Sequence, residues 1–233
     1  MSLTIAFDLD GTLIDSVPQI ADCVNTALAT RGAGPLTQRT VQGFVGKGLP
    51  ALVRQVAREL RLPEADTDPL HGEILALYTR VETPASALYP GVRAALAVLR
   101  DEGHSLAICT NKPHAATLKC LADTGLTLLF DRVIGGDSLP VRKPDPAPLN
   151  KALKAMGCTT ALMFGDTVDD CRAAVAAGVV GVGVVAPGHS AAVDSPVLKA
   201  AGASAVLSEG MAELDVLLDA CTDISPGRKK RKV

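Results

Sequence analysis

Leu3-Thr4-Ile5-Ala6-Phe7-Asp8-Leu9-Asp10-Gly11-Thr12, residues 3–12, decides the fold of this chain. The apolar run Leu3 to Phe7 is too short for a stable helix and reads as a buried strand. It ends on Asp8, so a carboxylate stands at the strand's C-terminal end, and Gly11 and Thr12 turn the chain away. In open α/β sheets that end is where ligands bind.

Downstream, residues 16–82 read as helical throughout. Ser16 and Gln19 have capping-box spacing, with Pro18 in the first turn. Ile20, Val24, Ala27 and Leu28 form one apolar stripe, and Leu49, Leu52, Val53, Val56 and Leu60 another. A third helix is expected from Pro69 to Val81, and no strand-like alternation interrupts the stretch. After Pro90-Gly91 the pattern changes. Strands are expected near residues 106–109, 132–134, 161–164, 179–185 and 205–207, with helices between them, several stopped by Gly125, Gly157, Gly178 and Gly202. Such alternation means a parallel sheet covered on both faces. The fold class is therefore α/β, a doubly wound parallel sheet with an α-helical insertion. The expected divisions are residues 1–14 (core), 15–82 (helical cap), 83–224 (core) and 225–233 (basic tail).

Composition narrows the function. The chain has 233 residues, 48% hydrophobic and 21% charged, which suits a packed core. Aromatics make up 3% and Trp is absent, leaving few stacking platforms for single-stranded nucleic acid. Arg228, Lys229, Lys230, Arg231 and Lys232 are five of 23 basic side chains; the other 18 face 25 acidic ones, so the globular part is a poor general binder of polyanions. The tail has the composition of a nuclear import signal or polyanion arm, and nucleic-acid binding is expected only there, if anywhere. Six cysteines without a CxxC pair read as reduced core residues of a cytoplasmic protein, and no run reaches membrane-spanning length. His104, His114 and His189 are assigned to loops or the surface. Gly178–Gly183 reads as a close-packed strand rather than a dinucleotide loop, and Gly43–Gly48 lacks the setting of a P-loop.

The chemistry lies at strand ends. Asp8 and Asp10 follow the first strand, Thr110-Asn111-Lys112 the second, and Gly165-Asp166-Thr167-Val168-Asp169-Asp170 a later one, with Lys143-Pro144 in a loop before a helix. Converging, they supply what phosphoryl transfer needs. The set holds a carboxylate able to attack phosphorus, a second to move a proton, oxygen ligands for a hard cation, and a lysine and hydroxyl for phosphoryl oxygens. Clustered carboxylates without a cation would repel one another, so the cluster itself argues for metal.

Phe7-Asp8-Leu9-Asp10-Gly11-Thr12-Leu13, Thr110, Lys143, and Asp166 with Asp170 match, in order, the four motifs of haloacid dehalogenase-type phosphatases, and the sequence resembles that family from about Leu3 to Leu218. The resemblance implies that Asp8 is the nucleophile and a metal ligand. It implies that Asp10 is the general acid/base with its backbone carbonyl on the metal. Asp166 is implied as a direct ligand and Asp170 as the holder of metal-bound water, the metal being Mg2+. Thr110, Asn111 and Lys143 are implied to bind phosphate. Within the family, Val45-Gly46-Lys47-Gly48, Leu88-Tyr89-Pro90-Gly91, Cys109-Thr110-Asn111-Lys112, Gly136–Pro140 and Arg142-Lys143-Pro144 are most similar to the phosphoglycolate phosphatase subgroup. This implies a small phosphorylated metabolite, 2-phosphoglycolate first, as substrate of a monomer or homodimer. Lys47 in the cap turn is expected to meet the substrate carboxylate. A receiver-like phospho-aspartate signalling module uses a similar acidic pocket and is the alternative from another class. Asp10 and the large helical insertion speak against it.

Overall fold

The computed structural model describes residues 2–154, 160–187 and 193–213. The basic tail, Cys158, Cys221 and His189 lie outside the described residues.

Six parallel strands form one sheet in the order β3-β2-β1-β4-β5-β6. They are β1 (Thr4–Phe7), β2 (Ser105–Cys109), β3 (Arg132–Ile134), β4 (Ala161–Gly165), β5 (Val180–Val184) and β6 (Ala205–Leu207). The chain winds from β1 out to β3 and returns to β4 on the other side of β1. The strand order therefore reverses between β1 and β4, where α/β sheets open a crevice. Phe7 pairs in register with Ile108 on one side and Phe164 on the other. Asp8 thus emerges level with the ends of β2 and β4, and the polar segments after all three strands share one edge.

Burial holds β1 in place. Ile5, Ala6 and Phe7 are wholly inaccessible. Phe7 stacks on Phe164 at 5.1 Å between ring centroids and meets Phe130 edge-on at 6.3 Å. Each such side chain contributes roughly 1.5–3 kcal/mol from burial. Gly183 in β5 packs closely, since a Cβ there would lie 2.9 Å from Leu198 Cδ1.

Between β1 and β2 run α1 (Val17–Ala29), α2 (Gln38–Gln42), α3 (Leu49–Glu59), α4 (Thr67–Tyr78) and α5 (Val92–Asp101). The first four close on an apolar cluster of their own, including Ile20, Val24, Leu28, Leu52, Val56, Leu70 and Ile74. That cluster touches the sheet domain through Ala116 of α6 (His114–Asp123). The remaining helices are α7 (Ala147–Leu153), α8 (Val168–Ala177) and α9 (Ser195–Ala200).

Two expectations are corrected. Ser16 makes no side-chain cap bond, because its backbone (φ −96°, ψ −3°) is already helical and a cap needs an extended one. His104 keeps the loop placement, between α5 and β2, but not the surface one: it is buried at 8% exposure, its Nδ1 accepting the Leu3 N–H at 3.1 Å, and burial lowers its pKa. Cys23, Cys109, Cys120 and Cys171 are free and buried, as expected of reduced core residues.

Candidate active site

The site is built from the loops that follow β1, β2 and β4, with one lysine from the loop before α7. After β1 the chain folds into a tight turn in which the N–H groups of Leu13 and Ile14 both donate to the Leu9 carbonyl. Gly11 has φ +83°, and a Cβ on it would lie 2.3 Å from Asp166 Oδ2. Only glycine lets the β1 and β4 loops approach this closely. Thr12 Oγ1 then donates to Asp166 Oδ1 at 2.8 Å.

Asp8, Asp166 and Asp170 are all buried, and each offers a carboxylate oxygen within 4.8 Å of the others'. Lys143 Nζ joins them, 2.6 Å from Asp170 Oδ1, 2.6 Å from the Cys109 carbonyl and 3.1 Å from Asp8 Oδ1. The first two are hydrogen bonds, and Asp8 is an ion-pair partner. Burial alone would lower the Lys143 pKa, but the Asp170 and Asp8 carboxylates outweigh it and keep the ammonium charged. Burial pushes the Asp8 carboxyl up to about 7; Lys143 opposes this, and the Asp170 and Asp166 charges add to it. Three buried carboxylates around one lysine leave the cluster short of positive charge.

Asp170 is held from both sides. It is the third residue of α8, where its Oδ2 accepts from the Thr167 hydroxyl at 2.6 Å and the Thr167 N–H at 3.0 Å, a complete capping box. One carboxylate thus both starts a helix and fixes Lys143.

Thr110 is buried behind Asp8, and its hydroxyl hydrogen bond helps to lower the Asp8 pKa. It does not cap α6, whose first turn begins after Pro113. Asn111 is spent otherwise than expected. Both its amide N–H groups are used, on the Gly46 carbonyl at 3.0 Å and the Lys143 carbonyl at 3.1 Å, while its Oδ1 accepts from Lys143 N at 3.1 Å. It ties the helical insertion to the sheet domain and has no side-chain donor left for an anion.

Asp10 lies in the pocket next to Asp8, between Lys112, which the sequence reading names without a role, and Tyr78, which it does not name. Lys112 Nζ is 2.8 Å from Asp10 Oδ1, and the Tyr78 hydroxyl is 3.4 Å from Oδ2. Lys112 also donates to the Tyr78 hydroxyl and sits 4.0 Å from the ring centroid. Lys112 is 102 residues from Asp10 and 34 from Tyr78, so no local pattern relates them. Thr12, read only as a turn residue, is the third residue missed. Lys47 is exposed: Gly46 and Gly48 on either side line the pocket but Lys47 does not, and its charge acts on Asp169.

Known proteins resemble the chain along most of its length. Residues 5–184 match the family of haloacid dehalogenase-like hydrolases. A phosphoglycolate phosphatase of Cereibacter sphaeroides is 44% identical over 176 residues, 75% of this chain and 81% of the relative. One of Rhodobacter capsulatus is 44% identical over 181 residues, 76% and 82% of the two chains. The crystal structure of a predicted phosphoglycolate phosphatase from Haemophilus somnus superposes with a TM-score of 0.79 at 26% identity, over 92% of this chain and 97% of that one. With a parallel sheet whose strand ends gather the four acidic, hydroxyl and lysine segments, this chain belongs to the haloacid dehalogenase-like hydrolase family.

Proposed function

We propose that the protein is a Mg2+-dependent phosphatase that hydrolyses a small phosphate monoester, 2-phosphoglycolate first among them, through a phosphorylated Asp8. The observation that carries the reading is the pairing of two differently placed carboxylates. Both line the pocket, but Asp8 is buried against Lys143 while Asp10, two residues on, pairs with Lys112. The Asp8 carboxylate attacks phosphorus while the bond to the ester oxygen breaks, and Asp10 gives that oxygen a proton. Water then attacks the phosphorus of the acyl phosphate, Asp10 takes its proton back, and Asp8 and inorganic phosphate separate. Lys143 and the Thr110 hydroxyl neutralise and hold the phosphoryl oxygens. Asn111 acts by positioning, since it fastens the Gly46 turn and the Lys143 loop together.

The donor set fits the metal. Asp8, Asp166 and Asp170 offer only hard oxygen ligands, and Asp8 Oδ1 is buried without a hydrogen bond, 3.1 Å from the Lys143 ammonium. Asp8, Asp166 and the Asp10 carbonyl would hold Mg2+, with Asp170 orienting its water. The ion supplies charge neutralisation at the transferring phosphoryl group.

Residues 15–82 serve as the cap. They leave the core beyond Asp10 and return before Tyr89, and their Gly46–Gly48 turn rests on the site. Water exclusion and recognition of the non-phosphoryl part of the substrate fall to this cap and to the pocket wall. Two lysines are candidates for the substrate carboxylate: Lys47, exposed on the cap turn, and Lys112, buried in the pocket. Among the described residues no helix is long and apolar enough to cross a membrane; a cytoplasmic location is proposed with the metabolite substrate. The test is steady release of inorganic phosphate from 2-phosphoglycolate with magnesium over many turnovers. A single stoichiometric phosphorylation without turnover would instead favour the receiver-like module.

A further inference from the structure

The pocket above Asp8 and Asp10 is walled chiefly by apolar side chains, among them Ile20, Phe44, Leu49, Leu52 and Ile74. A substrate carboxylate entering it leaves water and must find a cation, since an unpaired buried charge is strongly disfavoured. Lys143 is not placed to serve, because it does not line this pocket and its ammonium stands against Asp8, Asp170 and the Cys109 carbonyl. Lys112 is the cationic side chain among the residues lining the pocket, and its side chain is 2% exposed.

The chemistry of Lys112 fits the task. An ammonium has three N–H donors. Two have acceptors, Asp10 Oδ1 at 2.8 Å and the Tyr78 hydroxyl, which leaves one for a ligand. Its distance from Asp10 also defines what the ligand must look like. Asp10 has to touch the ester oxygen, so the group next to Asp10 lies where the first atoms beyond that oxygen will sit. In 2-phosphoglycolate a single methylene separates ester oxygen from carboxylate.

We infer that Lys112, steadied by the Tyr78 ring and hydroxyl, is the residue that binds the substrate carboxylate and so selects phosphate esters carrying a carboxylate on the adjacent carbon. The inference rests on the phosphatase reading and deepens it by assigning the specificity to the pocket wall instead of the exposed cap-turn Lys47. Before substrate arrives, the Asp10 carboxylate occupies Lys112. A substrate carboxylate takes over part of that pairing and frees an Asp10 oxygen to face the ester.

The test compares 2-phosphoglycolate with ethyl phosphate, the same skeleton with a methyl in place of the carboxylate. The readout is the ratio of their kcat/KM values, because a variant that merely disturbs Asp10 lowers both and leaves the ratio alone. Lys112→Met should lower the ratio at least about 50-fold, the scale for loss of one partner of a buried ion pair. Lys112→Arg should retain most of it. Tyr78→Phe, which keeps the ring and removes one oxygen, should lower it roughly fivefold and gives an answer even if Lys112→Met fails to fold. An unchanged ratio in Lys112→Met and Tyr78→Phe would overturn the assignment, as would a collapse of the ratio in Lys47→Ala with Lys112→Met intact. If the unaltered protein hydrolysed ethyl phosphate as well as 2-phosphoglycolate, the proposed substrate would fall, and this assignment with it, while the phosphatase chemistry stood.

Discussion

At Asp8 burial makes a carboxyl keep its proton up to near neutral pH in the absence of a cation, and this has a consequence for stability. Its folded pKa is pushed up to about 7 by burial, against an ordinary value of 3.8. In the window between those values the unfolded chain releases its proton and the folded protein keeps it. The unfolded state then binds fewer protons, and stability falls as pH rises from about 4 to about 7. Asp8→Asn removes the titration. In excess chelator it should melt at a higher temperature than the unaltered protein at pH 8, by a few kcal/mol in stability at most. The gain should shrink towards zero near pH 4. Thermal melts of both proteins across that range decide it; equal melting temperatures at pH 8 would show that Asp8 carries no such cost. At the same scale, the sequence made the acidic residues and Lys143 legible because they sit in contiguous motifs. The pairing of Lys112 with Tyr78 is illegible because it depends on a contact across the fold, and so is the use of the Asn111 amide, whose donors go to backbone carbonyls of two distant loops.

Among the elements, the strands could be read almost to the residue, since short apolar runs ending in polar groups admit few placements. The 132–134 and 205–207 strands coincide with β3 and β6. Helix edges were harder. The Ser16 capping box failed on backbone conformation, which side-chain identity does not reveal, whereas the complete box at Thr167 and Asp170 serves the active site. The turn between α2 and α3 is the element that the cap proposal singles out, since Asn111 bonds its Gly46 carbonyl. Gly48 has φ +81°, and a Cβ there would lie 3.0 Å from the Asn111 carbonyl oxygen. With ψ 163° it lies in a backbone region essentially reserved for glycine, so Gly48→Ala should cost on the order of 1–3 kcal/mol, enough to lower kcat/KM for phosphoglycolate about tenfold where the strain falls on the closed form. Far-UV circular dichroism should be unchanged. A kcat/KM within twofold of the parent would mean that this turn does not need to seat against the site.

For the molecule as a whole, the reversal of strand order at β1 and β4 brings the β1 loop and the β4 loop into contact, and the helical insertion leaves the chain just beyond the β1 loop. Three buried carboxylates against one lysine make the assembled site a cation trap. Chelation should abolish phosphate release, and magnesium should restore it. Calcium, which prefers more and longer oxygen contacts, should occupy the site and inhibit. Undiminished turnover in excess chelator would contradict the metal reading. The central claim, that Asp8 itself carries the phosphoryl group, is tested most directly by trapping it. Asp10→Asn should still be phosphorylated by 4-nitrophenyl phosphate, whose leaving group needs no proton, but should hydrolyse the intermediate slowly for want of a base. After acid quenching, peptide mass spectrometry should find one phosphoryl group, on Asp8. A phosphoryl group on another residue, or continued phosphate release from an Asp8→Asn protein at more than about a tenth of the parental rate, would contradict it.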